Sequence, residues 1–333
     1  MPAFFCPRCL VDLGLSVHHC PWQQAEIIAR RASPEEAARA FRWIIDDYAN
    51  HAVAAECIAC AGTDAIEPLC RYLAEGPQAN PQGRLFAAAM LARLSSPAAL
   101  AGLRDVLHGS RLHGLPASQH EAEYQVKNMV LERLAERDYP ERSIDIAFGV
   151  QSERLPAAVA AAGRHGSALL APDFVAMLRD DVLERVARDA LADLGDAGAS
   201  AILVAGWDLL DEEPINVRSR LALVRAFLVL ERLHVRLPLA MERRTAHAHP
   251  AVSAAATLLM DVPDPSGVER LLHGALSEYL PLSQACRARL QCGGAGVVEL
   301  AHILIRQNVE RDIYGNTHAL SKEAVTWLTQ FGH

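Results

Sequence analysis

Residues Leu183–Leu210 read LERVARDALADL, then GDAG, then ASAILVAGWDLL, and this stretch is decisive for the fold class. Its first part has apolar residues at the three- and four-residue spacing that marks one face of a helix, namely Ala187, Ala190, Leu191 and Leu194. In its second part, the same spacing is kept by Ile202, Ala205 or Gly206, and Leu209. Gly195 lies between the two parts and can adopt the left-handed backbone conformation that ends a helix. The stretch therefore predicts a helical hairpin whose two short helices meet along a thin seam of alanine and leucine.

The pattern of this hairpin recurs along the chain. With Ala187, Ala190-Leu191 and Gly195 as reference positions, the matching residues elsewhere are Ala54, Cys57-Ile58 and Gly62; Ala87, Met90-Leu91 and Ser95; Ala256, Leu259-Met260 and Asp264; and Cys286, Arg289-Leu290 and Gly294. Their first positions are separated by 33, 100, 69 and 30 residues, close to one, three, two and one units of about 33. A period of this length is typical of helical repeats, because each helix pair buries its apolar stripe against its neighbours.

Helix-start signals occur outside the repeats as well. Ser33-Pro34-Glu35-Glu36 places a capping serine before a proline at the first helical position, with a glutamate three residues after the cap. Further helix starts are indicated by Ser96-Pro97, by Ser118 with Glu121, and by Asp264-Pro265. The sequence lacks sustained alternation of apolar and polar residues, and it lacks Asn-Gly or Asp-Gly turns between apolar runs. These observations predict an all-α fold.

The decisive stretch resembles the repeat of the HEAT-like repeat family of bacterial proteins, the short form that also occurs in phycobilin lyases. That repeat runs Asp, Val-Arg, spaced Ala and Ala-Leu, then Leu-Gly-Asp, and the matching residues are Asp180-Asp181, Ala187, Ala190-Leu191, Leu194-Gly195-Asp196 and Ile202. Val217-Arg218 approximates the Val-Arg step, whereas Leu183-Glu184 replaces it in the best repeat. The resemblance covers about residues 50–310. It implies an α-solenoid, a superhelix of helical hairpins, and we assign the repeat array to residues 33–333.

Residues 1–32 form a separate, cysteine-rich segment. Tetrahedral zinc takes four sulfur or nitrogen ligands, and a Cys-x-x-Cys turn presents two of them from one loop. We expect zinc to be held by Cys6, Cys9, His18 and Cys20, with His19 as the alternative to His18. Four protein ligands close the site, so the metal would be structural and would order a segment too short to build its own core. The alternatives are a tail with incidental cysteines and a redox Cys-x-x-Cys, although no βαβ pattern surrounds it.

The remaining cysteines fall among apolar helix positions. Cys57-Ile58-Ala59-Cys60 also spells Cys-x-x-Cys, but Cys57 occupies a core position of the repeat. Because cysteine is often fully buried, we expect buried thiols in this motif and at Cys70, Cys286 and Cys292. Eight cysteines in a chain without a signal peptide or a membrane-spanning apolar run favour a reduced, cytoplasmic protein.

An acidic cluster ends the second helix of the decisive hairpin. It comprises Asp208, Asp211, Glu212 and Glu213, beside Trp207. One interpretation is a surface that meets a basic partner on the concave face of the array, where such arrays usually bind. The other is a solvated helix end whose acids also serve the start of the element that begins at Pro214. The residues that we expect to contact a partner are Trp207, Asp208, Asp211 and Glu212.

Charge and missing motifs narrow the range of functions. The chain has 32 lysine and arginine residues against 40 aspartate and glutamate residues, a net charge of −8, which disfavours a nucleic-acid-binding surface. It contains neither a Gly-x-x-x-x-Gly-Lys-Ser/Thr phosphate loop nor a His-Glu-x-x-His zinc-protease helix. We therefore predict a non-catalytic scaffold that binds a partner protein along its concave face. The alternatives are a lyase-type enzyme or chromophore-handling protein, which the family resemblance suggests, and a nucleic-acid-binding protein.

Overall fold

Most of the chain that the structure describes folds into α-helices. The computed structural model describes residues 33–48, 52–211, 216–246, 248–260, 265–291, 302–303, 306, 310–311, 317–318 and 322–329. Within these ranges the only strands are β1 (Glu310–Arg311) and β2 (Thr317–His318), which pair antiparallel. The predicted all-α fold class is confirmed. In the same ranges, no helix combines the length and the apolar character that crossing a bilayer requires.

The chain divides into two compact units, residues 1–161 and 162–333. The helices of the first unit are α1 (Pro34–Tyr48), α2 (Ala52–Ala61), α3 (Ile66–Ala74), α4 (Pro81–Leu94), α5 (Pro97–His108), α6 (Ala117–Ala135), α7 (Arg142–Gln151) and α8 (Pro156–Arg164), within which the division falls. Helices one and two places apart in the chain pack together, such as α3 with α4 and α5, and α6 with α4 and α5. This neighbour-to-neighbour packing is the kind that a repeated helical hairpin requires.

The second unit is built around one buried helix. Its helices are α9 (Ala171–Met177), α10 (Glu184–Asp193), α11 (Asp196–Asp211), α12 (Val217–Arg232), α13 (Leu239–Thr245), α14 (Pro250–Thr257), α15 (Pro265–Ala275), α16 (Leu280–Leu290) and α17 (Lys322–Thr329). Residues 222–230 of α12 are all buried, and α9, α10, α11, α14 and α16 pack around this helix. A helix that is buried on every side is expected to be apolar all round, and in this segment only Arg225 is charged.

Local capping signals set helix starts largely as predicted. The Ser33 hydroxyl accepts a hydrogen bond from the Glu36 amide at 3.3 Å, and the Ser33 amide donates to the Glu36 carboxylate at 3.1 Å. Ser96 caps α5 by accepting from the Ala99 amide at 3.1 Å. The start predicted at Ser118 is wrong, because α6 begins one residue earlier and no side chain caps it.

The turns of the proposed repeats share one backbone conformation. Gly62, Ser95 and Gly195 occupy the same reference position, and their φ angles are +58°, +54° and +56°. Of the apolar reference positions, the buried ones are Ala54, Ile58, Ala87, Met90, Leu91, Ala187, Ala190, Leu191, Ala256, Leu259, Cys286 and Leu290. The other two turn positions, Asp264 and Gly294, lie outside the described residues.

The decisive hairpin is the pair α10 and α11, and its seam is tight. Of the two seam candidates on α11, Gly206 is buried and a Cβ there would meet Met241 of α13, whereas Ala205 is half-buried and is exposed to a groove described below. Gly198, which the sequence placed in the turn, lies inside α11 instead. The backbones approach so closely there that a Cβ on Gly198 would lie 2.1 Å from the carbonyl oxygen of Leu191 on α10. This crossing therefore has no room for a Cβ atom, and only glycine fits there.

Two buried ion pairs cross the core of the first unit. The Arg84 guanidinium binds the Glu123 carboxylate, and both side chains are almost wholly buried. The Lys127 Nζ lies 3.3 Å from the Glu153 carboxylate and donates to the Leu107 carbonyl oxygen at 2.8 Å. Burial lowers the pKa of the Lys127 ammonium, although Glu153 acts in the opposite direction. Removing one partner of such a pair leaves an uncompensated charge inside the protein, which is strongly destabilising.

Candidate functional site

An open groove lies between α9 and α11 in the second unit. Its volume is about 610 Å³. It is lined by Ala168, Ala171, Pro172, Val175, Ala176, Arg179, Ala197, Ser200, Ala201, Val204, Ala205, Asp208 and Leu209. Most of these side chains are short and apolar, so the surface of the groove is largely apolar.

The sequence of α11 explains why the groove forms. On one side of this helix Ile202 and Gly206 are buried inside the unit, and the buried Leu209 also lines the groove. On the other side of this helix, alanine recurs every four residues, at Ala197, Ala201 and Ala205. Side chains four apart lie one above another on a helix, so three methyl groups form a shallow stripe along α11. The stripe leaves space beside α9 that larger side chains would fill.

Two large aliphatic side chains stand exposed beside this space. Val204 lines the groove with 67% of its surface exposed, and Leu169, next to the lining residue Ala168, is 95% exposed. Single exposed apolar residues are common, but exposed aliphatic side chains beside a continuous apolar groove are typical of a surface that binds another molecule.

Two charged side chains complete the groove lining. Arg179 and Asp208 are both exposed. Within the part of the chain that the structure describes, Asp208 makes no ion pair or side-chain hydrogen bond. Its carboxylate is therefore available to a cationic group of a ligand. The groove thus presents an apolar floor with a charge of each sign.

The structure separates the predicted partner-contacting residues. Asp208 lines the groove, whereas Trp207 is half-buried and is absent from the lining. The Asp211 carboxylate accepts from Nη2 of Arg244 at 2.6 Å, so it already has a cationic partner. Glu212 lies outside the described residues. Of the four, Asp208 is the residue placed to meet a ligand in the groove.

The predicted zinc ligands Cys6, Cys9, His18 and Cys20 all lie outside the described residues. Among the residues that are described, no group of three or more histidine, cysteine, aspartate or glutamate side chains is arranged to hold a metal ion. The zinc site at the amino-terminal segment therefore stays a prediction.

The cysteine expectations are met in part. Cys286 is fully buried and Cys70 is half-buried, and burial raises the pKa of both thiols. The expectation is wrong for Cys60, which is exposed. Two residues turn a helix by roughly 200°, so Cys60 lies on the side opposite Ile58, off the buried stripe that Ala54 and Ile58 define. Thiols with a raised pKa are poor nucleophiles, and neither Cys70 nor Cys286 is suited to catalysis.

A second polar cluster lies in the first unit, around Asp145. This fully buried carboxylate accepts from Nε and Nη2 of Arg104 at 2.7 and 3.3 Å, from Nε2 of His108 at 2.7 Å, and from the Tyr139 hydroxyl at 2.9 Å. Burial and this last hydrogen bond raise the pKa of Tyr139. An Asp–His pair is a common device for proton transfer. Here, however, three side chains share one carboxylate, and the arrangement joins α5 to the start of α7.

Comparisons of the chain with models of known protein families, with curated proteins and with solved structures find no match. The resemblance to HEAT-like repeats therefore stays a prediction that rests on the residues quoted for it. The geometry and chemistry of the groove are the basis for the function proposed below.

Sequence reasoning placed the partner surface at the acidic end of α11 and missed the apolar wall beside it. The available signal was the four-residue period of Ala197, Ala201 and Ala205. Alanine is also a strong helix former, so the same pattern is equally typical of an ordinary stable helix. It indicates a groove only when the facing helix is known, and the residues of α9 coincide with none of the repeat positions quoted above.

Proposed function

We propose that this chain is a non-catalytic interaction scaffold that binds an amphipathic helix of a partner protein in the groove between α9 and α11. The observation that carries the proposal is the open, alanine-floored groove of about 610 Å³ with Val204 exposed on its wall. Binding would bury this apolar surface and the partner's apolar stripe together, which is the main favourable contribution to association. Helix-in-groove recognition of this kind uses anchors three, four and seven residues apart.

The charges of the groove define the partner further. Asp208 has no cationic partner among the described residues, so the bound helix is expected to place a lysine or arginine beside it. Complementary charges of this kind steer association and select the partner more than they add affinity. The occupant is therefore a helix with small or aliphatic anchors and at least one basic residue at the edge of its apolar stripe.

We also propose the finer architecture that the HEAT-like resemblance implies, an α-solenoid of helical hairpins. The three turns with the same left-handed backbone, at Gly62, Ser95 and Gly195, support this arrangement. For the amino-terminal segment we propose a structural zinc ion held by Cys6, Cys9, Cys20 and either His18 or His19. Terminal repeats need a polar covering, and a zinc-ordered segment would supply one.

The groove is tested by capture of partners from the native host's lysate on the immobilised full-length chain. The blocking variant is Val204→Lys, which places a positive charge in the groove against the expected basic residue. The matched control is Val182→Lys, because Val182 is 76% exposed and lies outside the groove lining. Both substitutions replace an exposed valine, so neither is expected to alter the fold.

We expect a protein that is captured by the wild type and by Val182→Lys but is lost with Val204→Lys. A synthetic peptide of the captured protein's amphipathic helix should then bind the wild type at least about tenfold more tightly than Val204→Lys. Equal capture by both variants would contradict the groove as the binding site. Recovery that disappears after nuclease treatment would instead favour nucleic-acid binding.

A further inference from the structure

A second cleft lies in another part of the second unit, where α13, α14 and α15 meet. Its volume is about 180 Å³. It is lined by Glu242, Arg243, Thr245, Ala246, Ser253, Ala256, Thr257, Met260 and Arg270. Unlike those of the groove between α9 and α11, the side chains that line this cleft include three with hydroxyl groups and two with guanidinium groups.

Among the residues that the structure describes, the hydroxyl of Ser253 has no hydrogen-bond partner. Ser253 lies in the middle of α14 and is only 3% exposed, and its Oγ is buried without a protein partner. A serine inside a helix usually donates to the carbonyl four residues earlier. Leaving a buried hydroxyl unpaired is destabilising, and alanine at the same position would avoid this cost. An unpaired hydroxyl on the wall of a cleft can therefore donate a hydrogen bond to a ligand atom.

The other two hydroxyl groups are already engaged. Thr245 donates to backbone carbonyl oxygens of its own helix. The Thr257 hydroxyl donates to the Ser253 carbonyl oxygen at 2.8 Å and accepts from Nε of Arg270 at 3.0 Å. This chain of two hydrogen bonds holds the Arg270 guanidinium beside the turn of α14 that carries Ser253. The free hydroxyl and a fixed guanidinium thus belong to one small site.

The charges of the lining favour an anion. Arg243 is exposed and makes no ion pair among the described residues, and with Arg270 it brings two positive charges to the cleft. Glu242 contributes one carboxylate, so the lining is net positive. Guanidinium groups are the preferred protein donors to carboxylates and phosphates.

We propose that this cleft binds a small oxyanion, a carboxylate or a phosphate, with Ser253 Oγ–H and the guanidinium of Arg270 as its donors. Arg243 adds a second positive charge at the mouth. The cleft is about 180 Å³, which suits a free anion or a short carboxylic acid and is too small for a nucleotide. Glu242 faces the same space and sets the selectivity, because it disfavours anions of high charge.

The test is calorimetric titration of the full-length protein with inorganic phosphate in one arm and with acetate in the other. Sodium chloride at matched ionic strength is the background in both arms. We expect saturable binding of one equivalent of at least one of the two anions. The arm that shows it assigns the ligand as phosphate or as carboxylate. Absence of saturable binding in both arms overturns the proposal.

Ser253→Ala is the decisive variant, and Ser283→Ala is its matched control. Ser283 is equally buried, but its hydroxyl donates to the Ala275 carbonyl oxygen at 2.7 Å and lies outside the cleft. We expect Ser253→Ala to weaken anion binding by about tenfold or more, the loss of one hydrogen bond to a charged group. Without anion, its melting temperature should be unchanged or higher, because the substitution removes an unpaired hydroxyl.

Ser283→Ala is expected to do the reverse. Its melting temperature should fall, because a satisfied buried hydrogen bond is lost, and its affinity for the anion should equal that of the wild type. Equal affinity of wild type and Ser253→Ala would refute the assignment even if an anion binds somewhere on the chain. Partner capture through the groove between α9 and α11 does not depend on either result.

Discussion

Gly198→Ala is the sharpest probe of the hairpin that positions the groove. Gly198 lies where α11 crosses α10, and an added Cβ would meet the Leu191 carbonyl oxygen at 2.1 Å and its carbonyl carbon at 2.9 Å. The neighbouring atoms belong to the backbone, so they cannot rotate away as a side chain does. Restoring an ordinary contact distance would require the two helices to separate by roughly 1 Å. That movement would loosen the seam that holds one wall of the groove.

The expected cost follows from two opposing contributions. Replacing glycine by alanine inside a helix stabilises by at most about 1 kcal/mol. Overpacking costs typically 1–3 kcal/mol, and the upper end applies here because the contact is with backbone. The net effect is a loss of about 2 kcal/mol in the free energy of unfolding.

Gly206→Ala is the matched control in the same helix. The nearest atom to a Cβ there is the terminal methyl of Met241, at 3.4 Å, which is ordinary contact with a flexible side chain. The helix-propensity gain therefore remains, and this variant should be as stable as the wild type or more stable by up to about 1 kcal/mol. The two variants differ by the same single methyl group, yet they should differ in stability by about 3 kcal/mol.

Urea unfolding followed by far-ultraviolet circular dichroism measures both variants against the wild type. We expect a lower transition midpoint for Gly198→Ala and an equal or higher one for Gly206→Ala. The reasoning is refuted if Gly198→Ala is as stable as the wild type, or if the two variants change in the same direction by similar amounts.

Five further predictions address the core, the charges, the thiols and the metal. Leu191→Ala removes a fully buried seam side chain and should cost about 2–5 kcal/mol in a denaturant melt; a change within error would mean that the seam is misassigned. Lys127→Met leaves the Glu153 carboxylate buried without its ammonium partner and should cost about 3–5 kcal/mol by the same measurement, whereas a neutral result would show that the pair is solvated. Burial raises the pKa of the Cys286 thiol above its ordinary value of 9.0, so the unfolded state releases this proton first and stability should fall as the pH rises above 9; Cys286→Ala should show a smaller fall between pH 8 and 10. Under native conditions an alkylating reagent should modify Cys60 and spare Cys286, with mass mapping of the peptides as the readout, and equal labelling would contradict the burial described here. Replacement of both cysteines in the first Cys-x-x-Cys of the amino-terminal segment by alanine should abolish bound zinc in elemental analysis, and metal retained by that double variant would exclude the proposed ligand set.

Much of the local structure could be predicted because it depends on residues close together in the chain. The capping pair of Ser33 and Glu36 closes within a single turn, and its hydrogen bonds are those expected from the four-residue pattern. The left-handed turns at Gly62, Ser95 and Gly195 likewise end helices whose apolar spacing was legible from the sequence. Helix start, helix end and buried face are set by interactions over three to eight residues, and the sequence displays these directly.

The candidate sites could not be predicted because they depend on distances between residues far apart in the chain. Asp208 and Asp211 look alike in the sequence, but Arg244, more than thirty residues further on, pairs with Asp211 alone and leaves Asp208 on the groove. Ser253 looks like any polar residue in a helix until the packing of α13 and α15 against α14 shows that its hydroxyl is buried without a partner.

The all-α class, the hairpin of α10 and α11 and the positions of several turns could therefore be predicted from local sequence patterns. Long-range packing determines which alanines form the floor of a groove, which glycine allows two backbones to touch, and which polar groups are left unpaired among the described residues. The physical reason is that periodicity and capping act along one helix, whereas volume and hydrogen-bond satisfaction depend on every helix that packs against it.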